Sequence, residues 1–231
     1  MAHELIVPKE QGDNAMLSPK GMQRRKFLTL FAGTAAVAAI AGCSKDDSGD
    51  GGIYLGKDDI GILNYAYALE QLEAAFYTQV AMSFYSGVTA NEQALLTDIR
   101  DHEIAHREFF KKALGTNAIP ALEVNFSSIN FSSRDSVLGT AKVFEDLGVS
   151  AYNGAGMLIK DPQYLLLAGK IVSVEARHAA LVRDLINNGS FADNTVVDMN
   201  GLDKSNPPSV VLSAAAGFLK SKLNASGLPT S

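Results

Sequence analysis

The sequence predicts an all-α protein, a four-helix bundle with one long crossover and an extra C-terminal helix. Three observations predict it. Four long segments carry apolar residues at helical spacing, and no stretch competes with strand alternation. The first and third connections are short, as between antiparallel neighbours, whereas "TNAIPALEVNFSSINFSS" (116–133) is long enough to run the length of a bundle. A hydrophobic content of 47% in 231 residues suffices for a real core.

The first helix is expected from roughly Asp59 to Tyr85. The second, about 90–114, opens on Thr89-x-x-Glu92, a capping box, and stops at Gly115. The third begins after Ser132-Ser133 and continues to about Ile159. The fourth starts at Asp161-Pro162, a cap followed by proline at the first helical position, and ends near Asn187-Asn188-Gly189. "PPSVVLSAAAGFLKSKL" (207–223) reads as a fifth, shorter helix on the outside.

The N-terminal region reads as a leader. Arg24-Arg25-Lys26 precedes an uncharged apolar run, "FLTLFAGTAAVAAI" (27–40), which is shorter than the roughly 20 residues of a membrane-spanning helix. "IAGC" (40–43) resembles the bacterial lipobox, which implies lipidation at Cys43 and a membrane anchor there. "QRRKFL" (23–28) resembles a twin-arginine export signal, and "CSKDDS" is similar to acidic sorting signals of surface lipoproteins. The expected organisation is a signal peptide over 1–42, a lipid-anchored flexible tether over 43–57, the bundle over 58–190 and a C-terminal extension over 191–231. The expected location is the bacterial cell envelope, lipid-anchored, at the outer membrane on its periplasmic or surface face.

Several classes are excluded. A net charge of −5 without a basic stripe argues against nucleic acid as a partner. Cys43 is the single cysteine, so intramolecular disulfides and cysteine-built zinc or iron–sulfur sites are impossible.

The chemistry lies in an internal repeat. Leu63, Ala66, Glu70, Ala74 and Tyr77 on the first helix match Leu138, Ala141, Glu145, Val149 and Tyr152 on the third, 75 residues on. Leu95, Ile99, Glu103, His106 and Phe110 on the second match Leu167, Ile171, Glu175, His178 and Val182 on the fourth, 72 residues on. Each half reads Glu-x6-Tyr and then Glu-x-x-His. At about 100° per residue the four glutamates fall within apolar stripes and point at a core. An unpaired buried carboxylate costs several kcal/mol or is driven to neutrality, so four of them require compensating charge. Two divalent cations supply it, with two neutral imidazoles completing the set. One Glu from each of two helices plus Glu-x-x-His from each of the others is the donor set of a carboxylate-bridged dimetal bundle.

The expected metal ligands are therefore Glu70, Glu103, His106, Glu145, Glu175 and His178. Glu103 and Glu175 would bridge, the histidines would cap, and Glu70 and Glu145 would be terminal. Tyr77 and Tyr152, two turns along the same faces, are candidates to hydrogen-bond ligands or accept an oxidising equivalent. Glu73 lies about 60° from Glu70 and could be a second ligand on that helix, but a solvated role or one behind the ligands is the first expectation. "HEIAH" (102–106) also fits the H-E-x-x-H pattern of zinc proteases, but no third histidine follows at the required spacing. His102 falls at the flank of the stripe.

The stretches "LNYAYALEQLEAAFY" (63–77), "DHEIAHREFF" (101–110), "VFEDLGVSAYNGAG" (143–156) and "VEARHAALV" (174–182) resemble the ferritin-like superfamily. The resemblance is close to its exported members, which include the desiccation-related group, and it covers roughly 58–190. It implies a ferritin-like bundle and a di-iron or dimanganese centre as cofactor, with iron the first expectation. The expected partners are O2 or H2O2 and metal ions, in a ferroxidase- or peroxidase-like reaction. A manganese catalase-like enzyme and a non-catalytic stress-related envelope protein are the alternatives. The C-terminal segment and lipid tether depart from cage-forming ferritins, and the oligomeric state stays open, a homodimer included.

Overall fold

The computed structural model describes residues 51–230. The expected leader, Cys43 and the expected tether up to residue 50 lie outside the described residues. Helices α1 (Asp58–Met82), α2 (Ala90–Leu114), α3 (Arg134–Gly156) and α4 (Pro162–Ile186) form the bundle, and α5 (Pro208–Ala215) follows. At 1.5 Å per residue the four long helices each run about 35–38 Å. α1 packs along α2 and α3 along α4, and α1 meets α3 where the hairpins join.

The helix starts follow from their capping residues. Thr89 accepts from the Glu92 backbone at 3.1 Å, and the Glu92 carboxylate accepts from the Thr89 backbone at 3.0 Å, closing the expected box. Arg134, at the start of α3, then donates to Glu92 at 2.8 Å and to the Leu185 carbonyl at 2.7 Å. One guanidinium thus ties three helix ends together. Asp161 caps α4 through Gln163 N–H at 2.7 Å, with proline at the first turn. Asp59 on α1 accepts from the backbone of Lys160 and Asp161, locking the α3–α4 turn against the first helix.

α1 is the central helix. It is buried on nearly every side, from Gly61 through Val80. The reason is the long crossover, which covers its outer face. Asn64 and Gln71, seven residues apart and so on one side of the helix, hold that crossover. Asn64 exchanges hydrogen bonds with the Asn117 carbonyl and Ile119 N–H, both at 2.9 Å, and Gln71 accepts from Leu122 N–H at 2.9 Å. Phe126 and Phe131 of the crossover then pack on Phe76.

Three element boundaries differ from expectation. α1 ends at Met82, and α3 ends at Gly156 rather than near Ile159, where two weak helix formers, Gly154 and Gly156, flank Ala155. α5 stops at Ala215 and passes through a 3₁₀ turn at Ala216–Phe218, where Phe218 stacks edge-on against Phe144 at 4.7 Å. The chain beyond turns extended, and Leu223–Asn224 pairs in parallel with Ile53–Tyr54. The tether expected to reach residue 57 is therefore shorter, because Ile53–Tyr54 are paired and Leu55 is fully buried. No helix among the described residues is long and apolar enough to cross a membrane.

Candidate metal centre

Glu70 on α1, Glu103 and His106 on α2, Glu145 on α3, and Glu175 and His178 on α4 converge inside the bundle. The four glutamates are completely buried, while the His106 side chain is 13% and the His178 side chain 5% exposed. His106 Nδ1 lies 2.9 Å from Glu175, 3.4 Å from Glu70 and 3.8 Å from Glu103. His178 Nδ1 lies 2.9 Å from Glu103, 3.4 Å from Glu145 and 3.9 Å from Glu175. The two sets of distances agree within 0.1 Å, which is the pseudo-twofold of the repeat expressed in side chains. Two overlapping groups could each hold a metal ion: Glu70, Glu103, His106 and Glu175, and Glu103, Glu145, Glu175 and His178.

The hydrogen-bonding inventory has the same symmetry. Both oxygens of Glu103 and of Glu175 are buried without a hydrogen-bond partner, as are the Oε2 atoms of Glu70 and Glu145 and the Nδ1 atoms of both histidines. The remaining oxygens of the latter two glutamates are taken. Tyr77 donates to Glu145 Oε1 at 2.5 Å, and Tyr152 donates to Glu70 Oε1. Buried polar atoms are nearly always satisfied, so eight orphans in one cluster require an explanation. The imidazole nitrogens come within 2.9 Å of carboxylates yet are not aligned for hydrogen bonds, as expected of donors aimed at a common point between them. The residues fit metal binding, with two overlapping groups of four donors to provide it.

Electrostatics describe the metal-free cluster. Burial opposes charge on the imidazoles, but the close negative carboxylates around them prevail, raising the His106 pKa and pushing His178 up to about 12. Burial, with the charge of Glu175 next, holds Glu103 well above the usual carboxylate range and raises Glu70. Burial also lifts Glu145 to about 7 against the pull of His178. For Glu175 burial acts the same way, but the two histidines outweigh it and bring the group to about 2.

Each tyrosine binds across the bundle, not to the glutamate on its own helix. Tyr77 and Glu145 link α1 to α3, and Tyr152 and Glu70 link α3 to α1. His102 does not share a metal position with His106. Its exposed ring stacks on His178 at 5.2 Å, and its Nδ1 meets His178 Nε2 at 3.0 Å. The two histidines of the H-E-x-x-H pattern therefore face different ways.

Of the roles expected for Glu73, the solvated one is excluded, since the side chain is only 3% exposed. The signal was present in the sequence. Between Asp59 and Met82 the only charged residues are Glu70 and Glu73, so α1 has no solvated face on which to put the second. Arg183 was also missed: it is buried on α4, bound to both oxygens of Asp146 at 2.7 Å and to Asp193 at 3.3 Å, and it fastens the loop after α4 to α3.

No protein of curated function matches the chain. The sequence profile of the ferritin-like domain family does, over residues 58–188, the span that holds both hairpins and all six converging side chains. With the all-α bundle, its long crossover and its paired Glu-x-x-His helices in place, the chain belongs to the ferritin-like domain family.

Proposed function

We propose that the chain is an exported, lipid-anchored dimetal protein that reacts with O2 or H2O2 in a ferroxidase- or peroxidase-like way, with iron as its metal. The observation that carries this reading is the pattern of unpartnered atoms. Glu103 and Glu175 each offer two free oxygens, as bridging carboxylates must, and Glu70 and Glu145 each offer one, as terminal carboxylates do. Four carboxylates balance the charge of two divalent ions. Oxygen donors with one imidazole per ion suit iron and manganese.

When bound, a pair of redox-active ions would supply electrons to the oxidant at open coordination positions. The protein's own residues do the rest. Tyr77 and Tyr152 fix the terminal carboxylates by their hydroxyl hydrogen bonds, so each presents its free oxygen inward. Those hydrogen bonds also give each tyrosine a ready proton acceptor, should it lose an electron. The apolar core around Phe76, Phe110 and Phe144 limits water. The leader and the lipobox-like sequence at Cys43 support an envelope location.

The test is oxidant consumption by full-length protein loaded with Fe(II) under anaerobic conditions. The reading expects O2 uptake or H2O2 loss by the iron-loaded form. Oxygen release from peroxide by the manganese-loaded form alone would replace it with a catalase-like activity.

A further inference from the structure

The pseudo-twofold that relates the two halves is broken next to the metal centre. The 75-residue offset that pairs Glu70 with Glu145 and Tyr77 with Tyr152 pairs Glu73 with Gly148. A carboxylate on α1 thus faces a missing side chain on α3. The two positions are in contact: a Cβ built on Gly148 would lie 3.2 Å from Glu73 Oε1 and 3.6 Å from Glu175 Oε2. A side chain at 148 would crowd both carboxylates. The glycine leaves Glu73 room to approach the centre beside Glu175.

Glu73 is also the one carboxylate of the cluster without a positive neighbour. Glu70, Glu103, Glu145 and Glu175 each lie within 4.0 Å of an imidazole nitrogen. Among the described residues no ion pair reaches Glu73, although it is only 3% exposed. A core acid with no ion pair, given room by a glycine and lying with Glu175 about the same vacant Cβ position, has a role in that cluster.

We propose that Glu73 is a seventh ligand of the metal pair, reaching the position held by Glu145 and His178. The assignment to that position follows from Glu175 Oε2, the oxygen beside Gly148, which lies toward His178. It rests on the dimetal reading above and adds one consequence. One metal position has an additional carboxylate, so the two positions bind ions with unequal affinity despite the repeat. Gly148 is the residue that admits the ligand.

The experiment is titration of metal-free, full-length protein with Mn(II), following free ion by electron paramagnetic resonance. Wild type is expected to bind two ions at two resolved affinities. Glu73→Gln is expected to keep two but to weaken the tighter one by about tenfold or more, the order seen when the support of a metal ligand is lost. Gly148→Ala is expected to give the same loss by displacing the Glu73 carboxylate, and the double variant to be no worse than either single one. Two ions in wild type with both affinities unchanged in Glu73→Gln would overturn this proposal alone. Wild type that takes up no Mn(II) or Fe(II) would overturn the dimetal reading and this proposal with it.

Discussion

The Tyr77 hydroxyl donates to Glu145 Oε1 at 2.5 Å, although the two residues lie 68 positions apart and on different helices. The reciprocal bond from Tyr152 to Glu70 makes a closed exchange between α1 and α3. These bonds leave each terminal glutamate with a single free oxygen, and that shortage defines how it can bind. Replacing either tyrosine with phenylalanine leaves a buried carboxylate oxygen without its donor. The expected cost is about 1–3 kcal/mol of stability in the metal-free protein, with metal affinity lower by about 10–100-fold. Denaturant unfolding and metal titration read the two effects, and the pseudo-twofold predicts that Tyr77→Phe and Tyr152→Phe behave alike.

Metal uptake should expel protons. In the metal-free protein His106 and His178 are held protonated by the carboxylates around them, with His178 at about 12. A metal ion needs the neutral imidazole lone pair, so each ion bound near neutral pH should release about one proton from its histidine. Affinity should therefore rise with pH. Calorimetric titration in buffers of different ionisation enthalpy measures the proton count, and a pH-independent affinity would contradict it.

The same shifts set the stability of the metal-free bundle. A histidine whose pKa is raised on folding contributes stability that is complete below the ordinary 6.5 and declines as pH rises towards about 12. Glu103 and Glu70, also raised, act in the same direction from the ordinary carboxylate value upward. Glu175, lowered to about 2, contributes above 4.5 and loses its contribution as pH falls towards 2. Metal-free protein should consequently lose stability as pH rises above about 6.5. Metal-loaded protein, whose carboxylates have their cations, should not, and melting temperature against pH separates the two.

His102→Ala removes the ring that meets His178 Nε2 at 3.0 Å. The repeat puts Val174 at the corresponding place on α4, so His106 has no such support. Affinity at the His178 position should fall by about tenfold while the His106 position is unchanged. Stepwise metal titration checks it, and an equal loss at both positions would show that His102 acts on the fold instead.

Gly154→Ala tests the packing of the C-terminal extension. A Cβ at 154 would lie 1.9 Å from the Asn206 carbonyl oxygen, in the segment whose backbone N–H donates to Ser150 at 2.9 Å. The extension cannot stay seated. A loss of about 1–3 kcal/mol is expected, typical of overpacking, and denaturant unfolding would read it.

The bundle was legible in the sequence because its signals are local. Helical spacing, the Thr89/Glu92 box and the Asp161-Pro162 start each act within a few residues, and all three are found where expected. The six converging side chains were legible because the repeat doubled a weak motif. What was hidden depends on contacts between distant segments. The tyrosines sit two turns along from glutamates on their own helices, but their partners are set by how α1 and α3 pair. The burial of Leu55 needs Leu223–Asn224 as a pairing edge. A solvated Glu73 stayed among the expectations because α1 was allowed a wet face, whereas the crossover tied down by Asn64 and Gln71 covers it.

The central claim is that two metal ions share Glu103 and Glu175. Metal content of the full-length protein, purified without added chelator after loading with Fe(II) or Mn(II), tests it most directly. The account predicts two ions per chain in wild type, with both lost or severely weakened in Glu103→Ala and in Glu175→Ala, since each bridge serves both positions. A wild-type protein that holds no more than trace metal, or a Glu103→Ala variant that still holds two ions as tightly, would contradict it.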